Sequence, residues 1–234
     1  MARTTLEVIV QSLADARAAE NGGADRLEVV RSIVQGGLTP AIDLVHEIAA
    51  AVRLPMRVMV RENAGFAIGD GELCRLQDSA TALEAANVDG IVIGFADRGR
   101  LRLADLECVL SAAARVRVTF HRAFDELEDP IAAIPLIAGC AQVDRILTSG
   151  GNGPLAERVE TLQRYSKAAG RLTIVAGGGV TNEAAAMFAR STCVDEIHIG
   201  RAARADRRPG SAVSERCVAA VRALLDRTAS SPEP

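Results

Sequence analysis

The chain has 234 residues, 49% hydrophobic and 24% charged, with Lys+Arg 27 against Asp+Glu 30, a formal net charge of -3 and a pI near 5.7. This length and balance predict one large soluble α/β domain and leave no basic patch for nucleic acid. No apolar run reaches the ~20 residues of a membrane span, and "MARTTLEVIV" lacks signal-peptide character, so a cytoplasmic protein without membrane contact is expected.

Eight short runs of β-branched and aliphatic residues are expected as strands: 6–10, 26–30, 56–60, 90–94, 117–121, 145–149, 172–176 and 196–200. Segments of helical periodicity lie between them, among them "SLADARAAEN", "AIDLVHEIAAAV" and "LADLECVLSAAA". Alternating strands and helices at this length predict a (β/α)8 TIM barrel over residues 1–226 with a frayed, Pro-containing tail at 227–234. A doubly wound open sheet fits less well, because no GxGxxG follows the first strand. In "GGADRLEVV", "ANVDGIVIG", "AQVDRILTS" and "TCVDEIHIG" an aspartate (Asp25, Asp89, Asp144, Asp195) precedes each even-numbered strand, and we read it as closing the turn at the bottom of the barrel. The five cysteines, Cys74, Cys108, Cys140, Cys193 and Cys217, are scattered without a CxxC pair, which speaks against a disulfide framework or a zinc finger.

In a closed parallel barrel the outer strand face packs on helices, so polar residues alternating with aliphatics point inward. Alternation therefore places Glu7, Glu28, Arg57, Arg61, His121 and His198 inside. Six ionisable groups where branched aliphatics usually sit carry large desolvation costs and mark a candidate site. The segment "VTFHRAFDELEDP" then brings His121, Arg122 and Asp125 to the C-terminal mouth, ahead of a helix start at Pro130 with Glu126, Glu128 and Asp129 as capping acids. Gly-rich turns "TSGGNG", "AGGGVT" and "IGRAAR" follow strands 6, 7 and 8, where barrels hold phosphate. The long segments "VQGGLTPA" and "RENAGFAIGDGE" are expected as pocket walls or lids.

The motifs "LEVIVQSLADARAAENGGADRLEVV", "GGLTP", "VTFHRAFD", "LTSGG", "AGGGV" and "EIHIGRAAR", in this order over residues 5–204, resemble the CutC family. That resemblance implies a cytoplasmic TIM barrel and a copper(I)-binding or copper-tolerance role. The cysteines that family members carry in the first two strands stand here as Ile9, Val10 and Val30, and "RENAGF" replaces the more usual "RPRGGDF". Copper(I) takes soft sulfur ligands, so the implied copper site does not transfer residue by residue. The charged constellation is retained.

Two functions compete at this point. In the first, His121, Glu7, Glu28 and Asp125 supply acid–base catalysis. Arg61, Arg122, Thr148, Ser149, Gly177, Gly178, Gly179, Gly200 and Arg201 would hold a small anionic, sugar-like or phosphorylated molecule for an isomerase, lyase or aldolase-type reaction. The single lysine, Lys167, lies in a helical segment, which argues against Schiff-base chemistry. A variant places a divalent metal on Glu7, Glu28, His121 and His198. The second function is copper handling without catalysis. A homo-oligomer is expected in either case.

Overall fold

The computed structural model describes residues 3–69, 71–190 and 194–229. Eight parallel strands close into a barrel: β1 (Thr5–Val10), β2 (Arg26–Val29), β3 (Met56–Met59), β4 (Gly90–Ile93), β5 (Val118–Phe120), β6 (Val143–Thr148), β7 (Thr173–Ala176) and β8 (Glu196–Ile199). Around it run α1 (Leu13–Asn21), α2 (Ile42–Ala51), α3 (Glu72–Ala85), α4 (Leu103–Leu110), α5 (Pro130–Gly139), α6 (Leu155–Ala168), α7 (Asn182–Arg190) and α8 (Glu215–Ala229). This is the predicted (β/α)8 barrel. Of the tail expected at 227–234, the first three residues complete α8 and 230–234 lie outside the described residues.

Strand alternation behaves as the pattern requires. Leu6, Val8, Val10, Leu27, Val29, Val58, Val118, Phe120, Ile197 and Ile199 are sealed between sheet and helices, in one continuous core. At about 25 cal/mol for each Å² of apolar surface removed from water, this layer supplies most of the drive for closure. Helix starts follow local chemistry as well. Ser12 caps α1 by accepting from the Asp15 N–H at 3.1 Å, and Asp129 caps α5 by accepting from Ala132 N–H at 3.0 Å, with Pro130 in the first turn.

The bottom of the barrel departs from the simple reading of the aspartate repeat. Asp25 stays at the bottom but bridges elements, accepting from the Leu6 N–H of β1 at 2.8 Å and pairing with Arg222 of α8 at 2.8 Å. Asp89 and Asp144 instead reach into the barrel and bind Arg57 at 2.9 and 2.7 Å. Gly90 makes room, since a Cβ there would stand 2.9 Å from the Arg57 guanidinium carbon.

At the other end, the loops after β2 and β3 form walls. The first carries a single 3-10 turn, Ile33–Gln35, entered through Ser32 at φ 52° and left through Gly36 and Gly37, also at positive φ. Val34 at its tip is 77% exposed, an apolar residue held out over the mouth.

Candidate functional site

Charged side chains fill the interior in two layers. The lower one is a continuous lattice: Glu7 to Arg26, Arg26 to Glu196, Glu196 to Arg145, Arg145 to Asp144, Asp144 to Arg57 and Arg57 to Asp89. Arg57 is fully buried, and all three of its guanidinium nitrogens are engaged, one of them also by Thr119 at 3.3 Å. Arg26, Arg145 and Glu196 escape a reading of single strands, although alternation with Leu27, Ile146 and Ile197 also turns them inward. Arg57, counted with the candidate site from sequence, belongs to this lattice and not to the mouth.

Above the lattice a cavity of about 350 Å³ opens at the C-terminal ends of the strands. Glu28 and His198 lie at its floor, and His121, Arg61, Arg122, Gly178, Gly179, Gly200 and Arg201 are among the residues that line it above.

The floor joins both layers through Glu7. Its Oε2 takes Arg26, and its Oε1 is 2.7 Å from Nδ1 of His198. Burial alone would raise the Glu7 pKa, but Arg26 and His198 more than offset it and hold the carboxyl well below the usual range. Glu7 is therefore a fixed anion with no free oxygen and no place in the cavity lining. It orients His198, whose pKa burial would lower but Glu28 and Glu7 raise.

Glu28 has the opposite environment. Its Oε2 is 3.8 Å from Nε2 of His198, too long for a hydrogen bond, and its Oε1 is buried without any partner. Burial pushes its carboxyl up to about 7, with Glu7 reinforcing the shift and His198 opposing it. A carboxyl poised near neutrality, free of hydrogen bonds among the described residues and part of the cavity floor, suits proton transfer.

His121 does not have the near-neutral pKa its reference value suggests. Burial first, then Arg61 and Arg122, lower it to about 3. Its Nδ1 accepts from the Ala123 N–H at 3.2 Å. Arg61, expected to bind substrate, spends its guanidinium on the backbone carbonyls of Gly65 (3.1 Å), Gly36 (3.3 Å) and Ala64 and on the Phe66 ring 4.5 Å away. It staples the two wall loops together.

Asp125, expected as a catalytic acid, is filled by Arg122 at 2.9 Å, the Thr148 hydroxyl at 2.5 Å and the Ser149 N–H at 3.1 Å. It fixes the turn after β5 to the end of β6, and Thr148 and Ser149 sit beneath the cavity rather than in its lining. Arg122 keeps both terminal nitrogens free of protein partners among the described residues.

The rim is made by the turn after β7. Gly178 and Gly179 have φ of 70° and 69°, conformations that cost a side chain strain. A Cβ on Gly178 would stand 3.2 Å from the Arg122 Nε, and one on Gly179 2.9 Å from an Arg201 terminal nitrogen. Two guanidinium groups thus flank bare backbone whose N–H groups bind no protein acceptor among the described residues. Gly177 lets His198 approach, a Cβ there falling 3.2 Å from its ring, and Gly200 lies against Ile9. Arg158 on α6, which carries no sequence signal, ties the Gly177 and Gly178 carbonyls from behind at 3.1 and 3.2 Å.

Residues 4–203 match the model of the CutC family. The chain belongs to the CutC family. A family protein CutC of Pasteurella multocida is 32% identical over 199 residues, covering 83% of this chain and 80% of that one. The copper homeostasis protein cutC homolog of Homo sapiens is 32% identical over 199 residues, covering 82% of this chain and 71% of the relative. Among solved structures, the putative copper homeostasis protein CutC from Streptococcus agalactiae superposes with a TM-score of 0.77 at 23% identity, over 83% of this chain and 97% of that one.

Copper, which such names imply, meets a poor donor set in this CutC chain. Copper(I) is held by thiolates and thioethers, and the cavity offers one sulfur among the described residues, Met59. Cys74 and Cys108 lie on outer helices, Cys140 caps α5, Cys217 is in α8, and Cys193 lies outside the described residues. Ile9 packs at the mouth, Val10 in the outer core and Val30 against Met59. For a harder metal, one ligand atom each of Glu7, Glu28 and His198 comes within 4.8 Å of the others, without His121. Glu7 already holds Arg26 through one oxygen and His198 of the same cluster through the other, so a metal there would displace the Glu7–His198 contact.

Proposed function

We propose that this cytoplasmic CutC-family barrel binds a small anionic molecule in its mouth and moves a proton on it. The observation that carries this reading is Glu28 at the cavity floor, a buried carboxyl that makes no hydrogen bond among the described residues. Leaving a buried acceptor unmatched costs about 1–3 kcal/mol, and a ligand hydroxyl at the cavity-facing edge of this carboxyl would meet part of that need.

The anionic end of the ligand lies between Arg122 and Arg201 against the Gly178–Gly179 backbone, where guanidinium and free N–H groups both favour a phosphate or carboxylate. Its reacting end reaches Glu28, which takes or returns the proton. His198 stands behind Glu28 and is held in orientation by Glu7. The cavity volume of about 350 Å³ suits a molecule the size of a sugar phosphate or sugar acid.

A thermal-shift series on chelator-treated protein with inorganic phosphate, sugar phosphates, sugar acids and copper(I) tests the reading. Stabilisation by an anion that disappears in Arg122→Ala supports it. Stabilisation by copper(I) alone would restore metal handling in its place.

A further inference from the structure

The tautomer of His121 is fixed by its neighbours. Because Nδ1 accepts the Ala123 N–H, the ring proton sits on Nε2. Strand β4 backs the Nδ1 edge, where a Cβ on Gly94 would stand 3.1 Å away, and Phe66 and Phe120 pack edge-to-face on the ring at 5.3 and 6.3 Å between centroids. The residue is 3% exposed, yet it lines the cavity. Among the described residues its Nε2 has no protein partner, and it is not one of the sealed, partnerless polar atoms, so the Nε2–H opens into the cavity.

Burial first, and then Arg61 and Arg122, oppose a positive charge on this ring, so the donor is a neutral imidazole throughout the physiological range. Such a group is a weak proton source and a good hydrogen-bond donor to an oxygen that gains negative charge. Arg61, His121 and Glu28 line the same cavity, and Arg61 acts electrostatically on both of the others.

Resting on the reading above, we propose that His121 donates its Nε2–H to a carbonyl oxygen of the bound anion while Glu28 takes a proton from the adjoining carbon, making the reaction an enolisation of an α-hydroxy carbonyl compound. The C–H bond breaks and its proton goes to the Glu28 carboxylate. Its electron pair forms the C=C bond, and the carbonyl π pair moves to the oxygen facing His121. Return of the proton from Glu28 to the former carbonyl carbon, with the hydroxyl hydrogen passing to the former carbonyl oxygen, yields an isomer and consumes no co-reactant.

The test uses uniformly ¹⁵N-labelled wild-type protein, whose three imidazoles are assigned with a His121→Gln variant, and 2-phosphoglycolate as a probe joining a phosphate to an enediolate-like carboxylate. The expected result is a neutral Nε2–H signal for His121 from about pH 5 to about pH 8, shifted downfield by the probe. Probe affinity falls about tenfold in His121→Ala and recovers in part in His121→Gln. A His121 that titrates in this range, or carries its proton on Nδ1, overturns the proposal without any ligand. A probe that moves the Arg122 and Gly178 signals but not His121 overturns the proposal and leaves the anion-binding reading standing. A probe that moves none of the cavity signals removes that reading, and this inference with it.

Discussion

Two charged layers share one barrel and differ in a single respect. In the lower layer the groups have partners: Arg57 divides itself between Asp89 and Asp144, and Arg26 between Glu7 and Glu196. In the upper layer Glu28 keeps an oxygen, His121 an N–H and Arg122 two nitrogens with no protein partner among the described residues. Charge and burial alone therefore do not separate scaffold from site. Unmatched hydrogen-bonding capacity at a cavity does.

The largest effect comes from breaking the lower layer. Arg57→Ala leaves half-buried Asp89 and Asp144 with only Arg117 and Arg145, opens a cavity where the buried arginine stood, and lowers unfolding free energy by about 3 kcal/mol in urea melts. A loss below ~1 kcal/mol would mean that the lattice carries no structural load.

Glu28 gives the next effect, through pH. Its carboxyl is raised from 4.5 to about 7 in the folded protein, so the protonated form is the one the fold favours. The associated stability is fully present below about pH 4.5 and is lost as pH rises through about 7, a change on the order of 3 kcal/mol. Unfolding measured at both ends of this window shows the loss in wild type and not in Glu28→Gln. His121 acts at the acid side with the opposite sign. Its folded pKa near 3 lies below the unfolded 6.5, so stability falls as pH drops through that interval, and His121→Gln flattens this part of the profile.

The smallest effect on stability belongs to Arg122→Ala. Its Asp125 pair is half-exposed and worth under about 1 kcal/mol. The same substitution abolishes stabilisation by inorganic phosphate, so stability and binding separate cleanly at the rim. If the two fall together, the rim is part of the scaffold.

The eight strands and the inward set of side chains were legible because barrel alternation is a local rule, and the Gly-rich turns announced the rim for the same reason. What the sequence hid is pairing. Glu7 and Glu28 are alike in sequence, each following a leucine in a short strand, yet one is filled by Arg26 and His198 while the other is left open. The partners that decide this lie 19 and 191 residues from Glu7. By charge and position at the mouth, Asp125 reads as a catalytic group and Arg61 as a ligand-binding one. Their hydrogen bonds turn out to bind loops, and no local pattern separates an arginine that grips carbonyls from one that waits for an anion. Arg26, Arg145 and Glu196 went unnoticed because charges at the beginning of a strand look like turn residues.

The chain as a whole is acidic, at -3. Its mouth is not: Arg61, Arg122, Arg158, Arg201 and Arg204 gather around the upper loops, several of them fixed there by backbone carbonyls. On the proposed anion-binding reading, a small anion approaching from solution meets the guanidinium groups of Arg122 and Arg201 at the rim, and capture is expected to be faster than unguided diffusion would allow. The arrival rate should fall steeply as salt shortens the reach of that field to the ~8 Å of physiological ionic strength, while the departure rate, governed by close contacts at the rim, stays nearly constant.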